Sequence, residues 1–513
     1  MKKYLLGIDI GTSGTKTILC DSEGAVVSSK TVEYPLETPH PGWTQQNPAD
    51  WWNATVETIK AVVEKSKVDV KEIAAIGLSG QMHGMVALDE QNNVIRPAIL
   101  WNDQRTEKQC AKIVELAGGE EALLALTNNK MLTGYTGGKI LWMKENEPEN
   151  YAKTKIILNP KDYIRFLLTG VLATEVSDAS GTGLFNVKER RFSTELLEKL
   201  GISRSLFPET VYESSDVAGT VTKKVAEMTG LYEGLPVMAG GGDAVIQTTG
   251  SGLVRQGVLG VVIGTSGVVA MGLDGYKVNR GGALQVFCNN APDLWHSMGV
   301  TLSAGGSFRW YKDTLCGDED AEAKRTGKNV YAILDDEAEK AKPGCGGLLF
   351  LPYLSGERCP HADVSARGVF FGLGLEHTKG DMTRSVMEGV TYSLRDVYER
   401  IKEMDETIVT DKIIVSGGGA TSTLWRQIVA DVFDLPVVTV SGASEGGAYG
   451  AVLVAGVGAG VWKDLNDAAK VLKEETRTLP DPETTAVYEK NFRLYQKLYG
   501  ALKGSFDELA TVR

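Results

Sequence analysis

Residues 7–14 read Gly-Ile-Asp-Ile-Gly-Thr-Ser-Gly, and nearly the same string, Gly-Val-Val-Ile-Gly-Thr-Ser-Gly, returns at 260–267. Both copies set a glycine-bounded Thr-Ser turn between apolar segments, the pattern of two buried strands joined by a tight turn. A chain that builds this unit twice is constrained to two copies of one domain plan. The 513 residues give each copy the length of an ordinary domain. The expected division is 1–250 and 251–513, with its seam in the glycine-rich stretch 250–257.

The rest of the chain is consistent with that plan. Residues 4–10, 15–20 and 25–29 form three strand-like runs separated by Gly-Thr-Ser-Gly and Ser22-Glu-Gly24, an antiparallel meander. Asn47 and Pro48 are a helix cap and a first helical residue, followed by Trp52, Thr55, Ile59, Val62 and Val63 at helical spacing. Residues 73–79 read as a buried strand, and strand-like and helix-like segments then alternate, so the class is α/β. The uncharged stretch 256–273 approaches membrane length, yet Gly257, Gly260, Gly264 and Gly267 divide it into two buried strands around a turn. The charged stretch 318–342 reads as a solvated helical face. Near the end, Tyr488, Phe492, Leu494, Tyr495 and Leu498 form an apolar helical stripe.

Lys plus Arg number 54 against 66 Asp plus Glu, a net charge of −12, with no basic run. That balance argues against nucleic acid as a partner, so a phosphate ligand must be held by local backbone donors or a metal. The six cysteines form no C-x-x-C pair and no zinc-like cluster with histidine, which reads as reduced thiols in a cytoplasmic protein. Asp9 interrupts the first apolar run too early for a signal peptide, and neither a secreted nor a membrane-bound protein is expected.

The repeat also tests its own residues. Where the first copy carries Asp9 the second carries Val262, so the strand needs no acid there for structure. A carboxylate buried in an apolar strand is costly. Asp9 therefore either accepts a turn N–H or has a task, such as orienting a metal-bound water. The turns Gly11-Thr12-Ser13-Gly14 and Gly264-Thr265-Ser266-Gly267 offer backbone N–H groups and hydroxyls that suit phosphate oxygens, and neither is a P-loop. Lys16, just past the first turn, either reaches a transferred phosphate or faces outward from its strand. In Ala239-Gly-Gly-Gly-Asp243, three glycines allow close approach of a ligand to a single carboxylate. Asp243 is thus placed as a general base for a hydroxyl, or as a cap of the helix-like segment after it. Strand, Gly417-Gly418-Gly419 and amphipathic helix follow one another at 413–431, an arrangement able to bind a nucleotide at a helix N-terminus. Met82 and His83 lie between Gly80 and Gly84, directly after a strand, where polar groups could bond a polyol. Trp101-Asn102-Asp103-Gln-Arg105 joins an aromatic platform to an amide and a carboxylate, a mixture used by carbohydrate sites, although Asp103 and Arg105 could be only a surface ion pair.

Together these residues resemble the FGGY family of carbohydrate kinases. One family signature stands as Gly134-Tyr-Thr-Gly-Gly-Lys-Ile-Leu-Trp-Met-Lys-Glu-Asn146, and another as Gly368-Val-Phe-Phe-Gly-Leu373 followed by Asp381-Met-Thr-Arg-Ser-Val-Met-Glu-Gly389. The resemblance implies two duplicated ribonuclease-H-like domains of the actin-like ATPase type flanking a central cleft. Sugar would lie mainly on the first domain and ATP mainly on the second. Gln81-Met-His-Gly84, Leu100-Trp-Asn-Asp103 and Leu351-Pro-Tyr-Leu-Ser-Gly-Glu-Arg358 look most like members that phosphorylate D-xylulose on its terminal hydroxyl. By that likeness Asp243 is the catalytic base, Asp9 lies at Mg²⁺ and the phosphates, directly or through water, and Met82 and His83 lie at the sugar. The second Gly-Thr-Ser-Gly turn, the Ala304-Gly305-Gly-Ser turn and Gly417, Gly418 and Gly419 would hold ATP. The chain departs from many relatives in having Ala244 after the base and Thr44-Gln45-Gln46 after Trp43. Rival readings are a kinase for another ketose such as ribulose, for a polyol or for a sugar acid, and a chaperone-like ATPase of the same fold. The expected partners are a small sugar and ATP, with a homodimer left open.

Overall fold

The computed structural model describes residues 3–512. Two compact units form. The first comprises the chain to Arg255 with Gly272–His296 and Gly442–Lys473, and the second comprises Gln256–Met271, Ser297–Ser441 and the chain from Glu474.

The first unit opens on β1 (Tyr4–Ile10), β2 (Gly14–Asp21) and β3 (Val26–Glu33), paired antiparallel in series as the turn residues predict. Helix α1 (Pro48–Ser66) begins where expected, with the Asn47 side chain accepting the Ala49 N–H and Pro48 in the first turn. It buries Trp51, Ile59 and Val62 against Leu6, Ile8, Ile10 and Leu19 of the meander. Trp52 and Val63, expected in the core, lie at its edge. Strand β4 (Ile73–Gly80) is buried throughout and runs parallel to β1. Helices α2 (Thr136–Asn146), α3 (Pro160–Thr169) and α4 (Val176–Ser180) follow, then β5 (Val217–Thr220) and β6 (Pro236–Met238), an antiparallel pair in which β6 runs parallel to β4. The short β7 (Gly241–Gly242) also pairs with β4 and leads into α5 (Asp243–Gly250).

The second unit repeats the plan. Strands β8 (Val258–Ile263) and β9 (Gly267–Asp274) form an antiparallel hairpin around the second Gly-Thr-Ser-Gly turn, as expected for 256–273. Helices α6 (Gly305–Leu315), α7 (Gly317–Thr326) and α8 (Val330–Ala338) precede β10 (Lys412–Ser416), which runs parallel to β8 as β4 runs parallel to β1. Then come α9 (Thr423–Phe433) and β11 (Val437–Val440), parallel to β10.

The chain next returns to the first unit as α10 (Gly447–Gly458), with Gly447–Gly456 buried. The packing therefore departs from a division at 250/251. The physical reason is backbone proximity: a Cβ on Gly7 of β1 would lie 2.1 Å from the Ala448 carbonyl oxygen, and one on Gly77 of β4 1.9 Å from that of Ala451. Only glycine lets this helix lie directly on two strands. Gly77→Ala is accordingly expected to destabilise the protein by about 1–3 kcal/mol or more, seen as a lowered midpoint in thermal unfolding. An unchanged midpoint would contradict the contact.

After α10 come β12 (Glu474–Thr478), antiparallel to β11, and α11 (Pro482–Val512). Tyr488, Phe492, Tyr495 and Leu498 are buried as the stripe predicts, whereas Leu494 is 41% exposed. A helix turns about 100° per residue, so Leu494 cannot share the face of Tyr495. All six cysteines are buried free thiols, and among the described residues no helix is long and apolar enough to cross a membrane.

Candidate active site

Strands β1, β4 and β7 end side by side. In register, Asp9 of β1 and Gly241 of β7 flank Ser79 of β4 on its two edges. The Ser79 hydroxyl donates to Asp9 Oδ1 at 2.6 Å. One residue past β7, the Asp243 carboxylate accepts the N–H of Met82 at 3.3 Å and that of Ala244 at 2.8 Å. Gly242, not Asp243, caps α5, and the Met82 bond ties the Asp243 carboxylate to the loop after β4. Burial pushes the Asp243 carboxyl up to about 7, helped by the negative charge of Asp9 and opposed by the two N–H donors. Asp9 is raised as well, chiefly by burial, with Ser79 and Lys16 pulling the other way. Two carboxylates crowded at the ends of parallel strands make a proton acceptor poised near neutrality. If Asp243 acts as a base in its ionised form, kcat/KM should rise with pH through about 7. Initial rates across that range check it, and a flat profile would remove a group of this pKa from the rate.

The loop after β4 is pinned at several points. Met82, 2% exposed, fills the space beside Gly242, where a Cβ would lie 2.5 Å from its Cγ. His83 takes a positive φ of 70° and sets Nδ1 2.6 Å from the Gly181 carbonyl, so Nδ1 carries the ring proton. Its own carbonyl accepts from Lys139 Nζ at 2.6 Å and Thr136 Oγ1 at 3.1 Å. Lys139 also donates to Gly134 O and is pushed down to about 7 by burial. In the sequence it stood only as part of a family signature, and its role as the clamp of the His83 loop went unread.

The first Gly-Thr-Ser-Gly turn is closed by the Gly11 N–H on Gly14 O. The N–H groups of Thr12 and Ser13 meet no acceptor among the described residues, which leaves two adjacent donors for an anion. The Thr12 hydroxyl accepts from Trp101 Nε1 at 2.9 Å and donates to Gln81. Gln46, named in the sequence only beside a departure from relatives, is a hub that bonds Gln81, Trp51 and the Thr12 carbonyl. Trp101 is 44% exposed and available as a platform, and Asn102 beside it accepts from the Thr44 hydroxyl.

One expectation needs correction. Asp103 is neither open to a sugar nor part of a surface ion pair. It is fully buried, accepts the Thr44 N–H, and holds Arg105 at 2.7 Å, with the guanidinium 3.9 Å from the Trp43 ring. Lys16, read as reaching a phosphate or facing outward, pairs its half-buried ammonium with Glu445 at 2.7 Å.

The second unit carries a cavity of about 550 Å³, of ordinary size for a small-molecule site. Gly264, Thr265, Gly305, Gly418 and Gly419 line its backbone side, and Phe308, Tyr331 and Trp425 supply aromatic faces. Phe308 lies edge-on to Trp425 at 5.4 Å and 5.8 Å from Tyr331. Glycines beside π-faces suit a nucleotide, whose base can stack while its phosphates meet backbone. Among the described residues the N–H groups of Thr265 and Ser266 meet no acceptor, whereas those of Ala304, Gly305 and Gly306 are taken by the carbonyls of Gly264 and Thr265. Gly305 thus offers close approach, not a donor. A Cβ on Gly419 would strike Ile263, while one on Gly418 would meet nothing within 4 Å. Asn329, Tyr331 and Asp335, from the stretch read as a solvated face, also line this cavity. Helix α7 is indeed solvated, but α8 turns one side to the pocket, and burial raises the Asp335 carboxyl.

Comparison with known proteins decides what this arrangement belongs to. Residues 4–250 match the N-terminal domain of the FGGY family of carbohydrate kinases and residues 259–459 its C-terminal domain. The chain belongs to the FGGY family of carbohydrate kinases. It is 39% identical over 498 residues to a xylulose kinase of Bacillus subtilis, covering 97% of each chain. A ligand-bound xylulose kinase from Lactobacillus acidophilus superposes with a TM-score of 0.90 at 28% identity over 99% of this chain and all of that one. A gluconate kinase from the same organism superposes equally well, with a TM-score of 0.90 and 28% identity over 99% of each chain. As an FGGY kinase the chain is an ATP-using sugar phosphotransferase with the actin-like ATPase fold.

Proposed function

We propose that this FGGY kinase transfers the γ-phosphoryl group of ATP to the terminal hydroxyl of a ketopentose, D-xylulose first among them. The observation that carries the reading is the Asp243 carboxylate, raised to about 7 and tied to the Met82–His83 loop, in a chain whose near-full-length relatives include xylulose kinases. Asp243 accepts the hydroxyl proton as the sugar oxygen attacks phosphorus. Met82 and His83 border the sugar, and Trp101 and Asn102 offer it a platform and an amide. In the second unit the N–H groups of Thr265 and Ser266 receive phosphate oxygens and the aromatic cavity receives the base, while in the first unit the N–H groups of Thr12 and Ser13 offer donors to an anion.

Mg²⁺ fits this chemistry. Among the described residues no group of three or more His, Cys, Asp or Glu could cage a metal, and Mg²⁺ with a nucleotide ordinarily needs only one or two carboxylates, water and phosphate oxygens. Ser79 occupies Oδ1 of Asp9, which leaves Oδ2 to hold a metal-bound water. Bound with ATP, Mg²⁺ neutralises charge on the phosphoryl oxygens. A sugar acid is the second reading, raised by the gluconate kinase likeness. Charge favours the neutral sugar: the site presents Asp9 and Asp243, and the cations Lys16, Lys139 and Lys161 are engaged by Glu445, by carbonyls and by Asp162.

ADP release measured over pentuloses, polyols and sugar acids tests the reading. D-Xylulose should stimulate it at least about tenfold over ATP alone, because the acceptor completes the site. Equal ATP consumption without sugar would favour the chaperone-like reading, and a stronger response to gluconate would replace the substrate.

A further inference from the structure

Behind the base lies a cluster of charged side chains wholly removed from solvent: Lys161, Asp162 and Arg165 on α3, and Glu175 and Asp178 at α4. Lys161 Nζ is 2.7 Å from Asp162 Oδ1 and 3.6 Å from both Glu175 Oε1 and Asp178 Oδ2, and Arg165 Nη1 is 2.9 Å from Asp162. Buried ion clusters are weak sources of stability, since apolar replacements often do as well, so these contacts call for another account.

They converge on residues 239–242, the segment that delivers Asp243. Lys161 Nζ and Arg165 Nη1 donate to the Ala239 carbonyl at 3.2 and 3.1 Å. At the other end Ser177 Oγ accepts the Gly242 N–H at 3.0 Å, accepts again from Asn290 Nδ2 at 3.3 Å, and donates to Glu175 Oε1 at 2.8 Å. One donor and two lone pairs are all a serine hydroxyl has, so Ser177 is saturated and its position is set. Glu175 is fixed in turn by the N–H groups of Ser177 and Asp178 and by the Ser214 hydroxyl. The peptide that precedes the base is therefore held by a hydroxyl that cannot turn.

We propose that Ser177, backed by Glu175 and Lys161, is a positioning residue for Asp243: it fixes the Gly242 N–H and through it the direction of the carboxylate. This rests on Asp243 being the base. Without the hydroxyl the Gly242 N–H loses its acceptor and the base wanders from the line of attack, and misplacement of about an ångström can cost about 10²-fold in rate.

The test uses the full chain with Mg-ATP and the best sugar of the panel. Ser177→Ala should lower kcat by about 10–100-fold, with KM for sugar and ATP within about threefold of wild type and an unfolding midpoint near it. If Ser177→Ala does not fold, Glu175→Gln, which keeps the size and removes the charge behind Ser177, is read by the same split. A folded Ser177→Ala within about twofold of the wild-type kcat would overturn the proposal, as would a loss confined to KM. Unfolding of both variants would do so too, assigning the cluster to stability. Asp243→Asn, run alongside, separates the two readings: normal turnover there removes the base itself, whereas an inactive Asp243→Asn beside a normal Ser177→Ala removes only the role of Ser177.

Discussion

Asp243→Asn should lower kcat by about 10²–10⁴-fold or more while leaving sugar affinity nearly unchanged. The amide keeps the shape and still accepts the Met82 and Ala244 N–H groups that hold the carboxylate, but it cannot take a proton. The same substitution should alter stability in a pH-dependent way. The folded-state pKa of Asp243 is raised from 3.8 to about 7, so the folded protein binds a proton that the unfolded chain releases near pH 3.8. Stability from this group is greatest below the unfolded value and is lost as pH rises toward about 7. Above about 7 the ionised, desolvated carboxylate is a burden of up to about 4 kcal/mol that asparagine lacks. The variant should therefore match wild type only near or below about pH 4, and its unfolding midpoint should exceed that of wild type by a margin that grows from about pH 4 to about pH 7 and then stays level. Near-normal turnover would remove Asp243 from the chemistry. A variant less stable throughout that range would make its role structural.

Asp9→Asn is expected to act through the metal and the nucleotide. It keeps an oxygen for the Ser79 hydroxyl but removes the charge that, in the proposed site, would orient a metal-bound water, and metal assistance is worth several kcal/mol, or about 10²–10³-fold in rate. Sugar binding followed by calorimetry should change little, and more Mg²⁺ should be needed to reach half-maximal rate. A second consequence separates this from misfolding. Asp9 is one of the causes that raise Asp243, so its neutralisation should move the rise of kcat/KM to lower pH. Loss of sugar affinity with an unaltered Mg²⁺ response would reverse the assignment.

Much of the site could be read before the fold because its parts are short in sequence. Asp9 stood out against Val262 of the second copy, and Asp243 followed three glycines that close packing requires, including Gly242 beside Met82. The residues missed share another property: their partners are distant in the chain. Lys139 holds the carbonyl of His83, Ser177 holds Gly242, and Asn329, Tyr331 and Asp335 come to a cavity whose other wall is built from Gly264, Gly418 and Trp425. Charge-rich composition reported solvent for 318–342, yet composition does not tell which side of a helix faces water and which faces a pocket.

What the sequence by itself determined was local. The Gly-Thr-Ser-Gly hairpins, the Asn47–Pro48 helix start, the buried strand β4 and the duplicated plan follow from turn geometry, capping and apolar runs, each complete within a few residues. Tertiary structure alone decided three further points. It set α10 on β1 and β4, because Gly7 and Gly77 leave room for a helix backbone that arrives more than 370 residues later. It buried the Asp103–Arg105 ion pair and set Lys16 beside Glu445. It also raised the Asp243 carboxyl to near neutrality, since a carboxylate's pKa depends on the water excluded from it and the charges brought beside it, and both are set by chain segments far from it in sequence.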